Sequence, residues 1–177
     1  MAPSEPFLEH QIIKKYLQNV VPGCLEDRVK HLWTQILRHY FPLEENYGIE
    51  REPYASESGL GAVDLLVTGL LRREIYKVLF LEAKRAPSSG GNITLQAWRE
   101  AHDQLQRNIN KWGHRKSNIP VYGLVVIGHY VRFYVIGCNQ VSLAPFERQE
   151  TLSLKTNANR VHDLLSSMET LIATSLK

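Results

Sequence analysis

Apolar positions along the chain change period several times, and each change marks an expected element. Over residues 6–20, Leu8, Ile12, Ile13, Tyr16, Leu17 and Val20 recur at helical spacing, and Pro22-Gly23 ends the run. Over residues 25–41 a second helical stripe carries Leu25, Val29, Leu32, Trp33, Ile36, Leu37 and Tyr40, closed by Pro42. The period then shortens. Residues 47–54 read as a weak first strand, interrupted by Glu50 and Glu52, and residues 56–61 as a bend. Residues 62–71 and 76–83 are apolar runs rich in Val, Leu and Phe, the signature of strands buried on both faces. Arg72, Arg73 and Glu74 separate them, and residues 87–91 (PSSGG) form a loop.

A helix follows, with Leu95, Trp98, His102, Leu105, Ile109 and Trp112 at alternating steps of three and four, ended by Gly113. His102 lies on that stripe and reads as a packed histidine. Residues 121–127 and 131–136 are two further strands about a tight turn at Gly128-His129-Tyr130, and residues 146–154 an edge strand. Asn159 is placed to cap a last helix whose face carries Val161, Leu164, Leu165, Met168, Leu171 and Ile172. Strands in a run, then a helix crossing to further strands, predict an α/β fold with a mixed central β-sheet flanked by helices. One domain over 1–177 is expected, with a helical extension (1–23), a core (25–136) and a C-terminal helix (157–176).

Composition narrows the class. Hydrophobic residues make up 44% and charged residues 22%, a balance that excludes a disordered chain. Net charge is only +3, too small to argue for nucleic acid by itself. Cys24 and Cys138 are far apart and show no zinc spacing, so reduced thiols in an intracellular protein are expected, in nucleus or cytoplasm. MAPSEPFLEH has no basic or apolar leader pattern, and no apolar run approaches the ~20 residues that span a bilayer, so no membrane is expected.

Two strands carry the candidate chemistry. Asp64 stands in Ala62-Val63-Asp64-Leu65-Leu66-Val67, and Glu82 and Lys84 stand in Leu79-Phe80-Leu81-Glu82-Ala83-Lys84. Charges ending buried runs demand partners, a metal or a site, because an unpaired buried carboxylate is costly. A hairpin turning near Arg73 sets Asp64 opposite Glu82, and Lys84, two residues on, shares the face of Glu82. Two carboxylates so placed repel unless a cation lies between them. Their hard oxygens suit Mg²⁺ or Mn²⁺, with Lys84 free to meet the scissile phosphate or the attacking water.

Asp64 followed by Glu82-Ala83-Lys84 on the next strand resembles the PD-(D/E)XK signature of the restriction-endonuclease-like superfamily, and the element order resembles that fold over residues 25–136. The resemblance implies that Asp64 and Glu82 bind the metal, with the Ala83 carbonyl as a further ligand. It implies that Lys84 positions or activates water, that Glu26 on the first core helix supports the metal, and that Gln104 on the helix after the lysine strand completes the set. Val63 stands where the motif has proline, a position that varies widely in the family. Each residue also has a plainer reading. Asp64 could take backbone N–H bonds at a strand end, Glu82 and Lys84 could be a strand-end ion pair, Glu26 could suit its helix dipole, and Gln104 could be solvated.

Charge distribution agrees with a polyanionic partner. From Lys84 to Lys116 seven positive residues (Lys84, Arg85, Arg99, Arg107, Lys111, Arg115 and Lys116) oppose Glu100 and Asp103, an excess of +5 against +3 for the whole chain. Arg107, Lys111 and Arg115, four apart, could follow a phosphate backbone, as could Arg85 and Lys116, or could form a solvated face. No GxxxxGKS/T loop, GxSxG elbow or HExxH pair is present. The expected function is therefore a metal-dependent nuclease acting on DNA, with weak intrinsic specificity. The alternative is an inactive module of the same fold that binds nucleic acid or a protein partner. Many such nucleases pair as homodimers, and the last helix is open to two roles, dimer interface or cover for the sheet.

Overall fold

The alternation of strand-period and helix-period segments builds a layered molecule, one sheet with helices on both faces. The computed structural model describes residues 5–51, 63–88, 92–112 and 119–176. Within them lie helices α1 (Gln11–Gln18), α2 (Glu26–Tyr40), α3 (Leu95–Trp112) and α4 (Ala158–Ser175). The strands are β1 (Tyr47–Arg51), β2 (Leu65–Leu71), β3 (Glu74–Lys84), β4 (Val121–Ile127), β5 (Tyr130–Ile136), β6 (Ala144–Pro145) and β7 (Leu152–Ser153). They form a seven-stranded mixed sheet in the order β1-β2-β3-β4-β5-β6, with β7 also on β5. β3 and β4 run parallel and every other pairing is antiparallel. A parallel pair needs a long crossover, and α3 supplies it.

Burial on both faces explains the unbroken apolar runs. Leu65, Val67, Leu79, Leu81, Ala83, Leu124 and Val126 pack into a large core with α1, α2 and α4. Leu66, Phe80, Val125 and Ile127 point the other way, onto Trp98, Ala101, Leu105 and Ile109 of α3. The last helix thus covers the sheet: Val161, Leu164, Leu165, Met168 and Ile172 are buried in the large core. Among the described residues no helix is long and apolar enough to cross a membrane.

One irregularity sets the orientation of everything downstream. Leu71 pairs with Glu74, so the β2–β3 turn is only Arg72 and Arg73, at φ 50° and 69°. Left-handed backbone at both central residues matches the tight hairpin turn whose twist fits paired strands. That turn alone would set Asp64 opposite Leu81. The register shifts instead: Val67 pairs with Leu79 but Thr68 with Lys77, leaving Val78 as an extra residue in β3. Val78 and Leu79, consecutive in the chain, both enter the large core. A one-residue slip exchanges the faces of a strand. The bulge therefore turns Glu82 and Lys84 away from the large core and toward α3.

Several expectations are corrected. Of the edge strand expected at residues 146–154 only β7 (Leu152–Ser153) forms, and β6 (Ala144–Pro145) lies just before that range. They are divided by a polar stretch in which Glu147 takes φ 57°, a left-handed kink that a continuous ladder does not accommodate. On α3 the buried positions are Trp98, Ala101, Leu105, Asn108 and Ile109, while Leu95 is 68% exposed. His102 is only half-buried, edge-on to the Tyr134 ring at 5.0 Å. Steps of three and four average 3.5 residues, and an α-helix of 3.6 drifts off such a stripe. The last helix starts at Ala158, after Asn157 rather than Asn159. The Asn157 carboxamide oxygen accepts from the Ser153 N–H at 3.1 Å, fastening β7 to the helix start. Leu171 is 45% exposed, and Glu169 is buried beside that face instead. The first helix is a 3-10 turn (Phe7–Glu9) followed by α1, and β1 is described over Tyr47–Arg51, the rest of the expected 47–54 strand lying outside the described residues. The expected bend at residues 56–61 lies outside the described residues.

Candidate functional site

The charged ends of β2 and β3 meet at one mouth of the sheet. Asp64 directly precedes Leu65, whose partner is Leu81, so the continuing register sets Asp64 opposite Glu82. Asp64 Oδ2 accepts a 2.7 Å hydrogen bond from the Ala83 N–H. On the α3 side, Lys84 Nζ donates to Glu82 Oε1 at 2.5 Å and to Gln104 Oε1 at 3.0 Å, and Asn108 Nδ2 donates to Glu82 Oε2 at 3.3 Å. On the α2 side, Lys30 Nζ lies 2.7 Å from Asp64 Oδ1 and 3.1 Å from Glu26 Oε1.

Local structure accounts for each placement. Glu26 opens α2, where a carboxylate suits the positive helix end, and Lys30 follows one turn later on the same face. Gln104 and Asn108 are likewise one turn apart on α3 and reach Lys84 and Glu82 in turn. Glu82 and Lys84 share a side of β3 because alternate strand residues do. Two helices on opposite faces of the sheet therefore meet over one strand mouth.

The electrostatics are those of a crowded acid cluster. Burial raises the Asp64 carboxyl above its usual range, although Lys30 and the Ala83 N–H pull it back. Glu82 is pushed up to about 8, first by burial and then by the neighbouring Asp64, with Lys84 opposing and Glu26 adding to the rise. Glu26, Asp64 and Glu82 outnumber Lys30 and Lys84 by one charge when all are ionised. The buried part of the cluster is fully paired: both oxygens of Asp64 and both of Glu82 are engaged. Glu82 is 1% exposed at its side chain, but Lys84 is 33% and Glu26 37% exposed, so the cluster reaches solvent through those two. Among the described residues no three His, Cys, Asp or Glu side chains already converge as a metal cage. Lys30 stands between Glu26 and Asp64, and Lys84 is paired with Glu82.

The structure brings together Asp64, Glu82, Lys84, Glu26 and Gln104, with Ala83 contributing its N–H. Arg85, Arg107 and Lys111 are exposed. Lys111 lies over the Trp112 ring at 4.7 Å. On a helix, positions 104, 107, 108 and 111 occupy one continuous face, so Arg107 and Lys111 lead along α3 toward Gln104 and Asn108. Arg115 and Lys116 lie outside the described residues. Sequence reasoning missed Lys30 and Asn108. A signal existed for each: Lys30 is four residues after Glu26 and three before the core residue Trp33, and Asn108 is four after Gln104, between Leu105 and Ile109.

No family model, curated protein or solved structure matches this chain.

Proposed function

We propose that this domain is a metal-dependent nuclease of the PD-(D/E)XK kind that hydrolyses DNA phosphodiester bonds. The observation that carries the reading is the meeting of Asp64, Glu82 and Lys84 at one strand mouth, within hydrogen-bond reach of Ala83, Gln104 and Lys30. Support comes also from the order of elements, a helix, three antiparallel strands, a crossover helix and a strand parallel to β3, which fits a restriction-endonuclease-like core.

The donor set fits Mg²⁺ or Mn²⁺. It is all oxygen, it is net negative, and it already holds two ammonium groups against carboxylates. Asp64 and Glu82 would hold the ion, with Glu26 and the Ala83 carbonyl as further ligands. When bound, the ion supplies Lewis acidity and acidifies water. Lys84, partly exposed and steadied by Gln104, meets the scissile phosphate or orients the attacking water. Asn108 holds the second oxygen of Glu82 in place. Arg85, Arg107 and Lys111 follow the phosphate backbone.

The test is cleavage of plasmid and single-stranded DNA with Mg²⁺ or Mn²⁺. Glu82→Gln and Lys84→Ala should abolish it while the melting transition stays cooperative. Absence of cleavage in either metal, together with no metal-dependent shift in melting temperature, would overturn the reading.

One observation favours a second reading. The ion pairs already satisfy both buried carboxylates, as a module without a metal requires. Such a module would bind nucleic acid or a protein partner through the basic face of α3. Metal-independent DNA retention, unchanged in Glu82→Gln, would select it.

A further inference from the structure

We propose that Lys30 is a resident counter-ion: its ammonium occupies the cation position between Glu26 and Asp64 and must leave when a divalent ion enters. This rests on the metal-centre reading above and adds how occupancy of that centre is regulated.

Lys30 touches two carboxylates from separate elements, Glu26 in the first turn of α2 and Asp64 at the mouth of β2, at 3.1 and 2.7 Å. A group that bridges two acids in this way stands where a shared cation would stand. It is also buried, with Val29 and Trp33 beside it fully enclosed, so its stem is packed and its head is directed at the site. Lys84 differs. It is one-third exposed, it binds Glu82, and Gln104 holds it on the opposite face of the sheet. The two amines therefore divide the cluster, one neutralising the α2 side and the other serving the α3 side.

The consequence follows from charge. Without Lys30 the cluster falls from −1 to −2, and buried carboxylates left so would oppose folding. With Lys30 the site folds without metal. A divalent ion and an ammonium cannot share the same carboxylate oxygens, because like charges that close repel by several kcal/mol even in a screened environment of effective dielectric ~20. Metal entry must displace the Lys30 head, and the solvent-open side at Glu26 is the direction available. Apparent metal affinity is then lower than the carboxylates alone would give.

The experiment is calorimetric titration of the metal-free full chain with MnCl₂ at fixed pH and ionic strength. Wild type is compared with Lys30→Gln, Lys30→Arg and Asp64→Asn, with melting curves for each. Lys30→Gln should bind Mn²⁺ at least about tenfold more tightly than wild type, the order expected for removing one competing charge. Its melting temperature should also rise more on metal addition. Lys30→Arg, which keeps the charge and the ion pair, should bind no more tightly than wild type, and it decides the matter if Lys30→Gln does not fold. Asp64→Asn should lose binding.

If wild type binds and Lys30→Gln binds equally or more weakly, or if Lys30→Arg binds more tightly than wild type, Lys30 is not the competitor. The metal-centre reading would then still stand. If wild type fails to bind while Lys30→Gln binds, Lys30 does hold the cation position, but permanently, and the nuclease reading falls. If no variant binds, both fall.

Discussion

The Ala83 N–H donates to Asp64 Oδ2 at 2.7 Å, so the acid that ends one strand is tied to the backbone between Glu82 and Lys84 on the next. The other Asp64 oxygen meets Lys30. Truncating this side chain leaves a buried amide without its acceptor and a buried ammonium without its 2.7 Å carboxylate partner. Asp64→Ala should cost about 3 kcal/mol in denaturant unfolding. Asp64→Asn, which keeps an oxygen for Ala83, should cost less. Equal losses would mean that the hydrogen bond to Ala83 contributes nothing.

Val78 is the extra residue of β3 and shares the core face with Leu79. Its deletion removes the bulge but leaves Leu79 on the core face and Glu82 and Lys84 toward α3, so the cooperative melting transition should be retained at the cost of one buried side chain. Val78→Ala only shortens a buried side chain and should retain the fold at a cost of roughly 1–2 kcal/mol. A deletion variant that has lost its cooperative transition, seen by circular dichroism, would refute this account of the bulge.

Glu82 provides a pH signature. Its folded-state pKa, about 8, lies above the usual carboxylate value, so the folded chain binds this proton more tightly than the unfolded one. The contribution is complete at pH values below the ordinary glutamate pKa and is lost as pH rises to about 8. Asp64, also raised, acts in the same direction. Glu82→Gln should therefore melt higher than wild type in metal-free buffer. The gap should widen between about pH 5 and pH 8 and reach roughly 1–2 kcal/mol, or about 2–8 °C. A gap that narrows over that range would contradict the assignment.

Gly128 fastens the strand end behind Lys84. Its N–H donates to the Lys84 carbonyl at 3.0 Å, its φ is +60°, and a Cβ there would come within 2.8 Å of the Ala86 Cβ. Left-handed backbone and lack of space act together. Gly128→Ala should lose about 2 kcal/mol or more in equilibrium unfolding.

Arg107 and Lys111 offer a test of the partner. Reversing both to Glu should weaken DNA binding and flatten its salt dependence by roughly 0.9 in log–log slope for each phosphate no longer neutralised. Fluorescence anisotropy over a series of salt concentrations measures both quantities. An unchanged slope would show that DNA does not follow this row.

Much of this molecule was legible in residue order alone. Burial on two faces wrote continuous apolar runs into β2, β3 and β4, and amphipathic periodicity wrote α2 and α3, so element types, their order and the mixed sheet followed from local patterns. Asp64, Glu82 and Lys84 stood out because charge at the end of a buried run is costly without a partner. The facing of Asp64 and Glu82 was also expected, but from a turn centred on Arg73. The chain reaches it by a tighter turn at Arg72-Arg73 and an extra residue at Val78.

Tertiary packing decided the remainder. Whether a strand bulges depends on what both faces must bury, and a linear pattern of Val, Leu and Phe does not show which neighbour is doubled. Lys30 reaches Asp64 across 34 positions and Asn108 reaches Glu82 across 26, and no periodicity connects residues so far apart. Residue order determined which groups carry charge into the interior. Only the folded chain, by bringing α2 and α3 over the same strand mouth, determined which opposite charges they meet there.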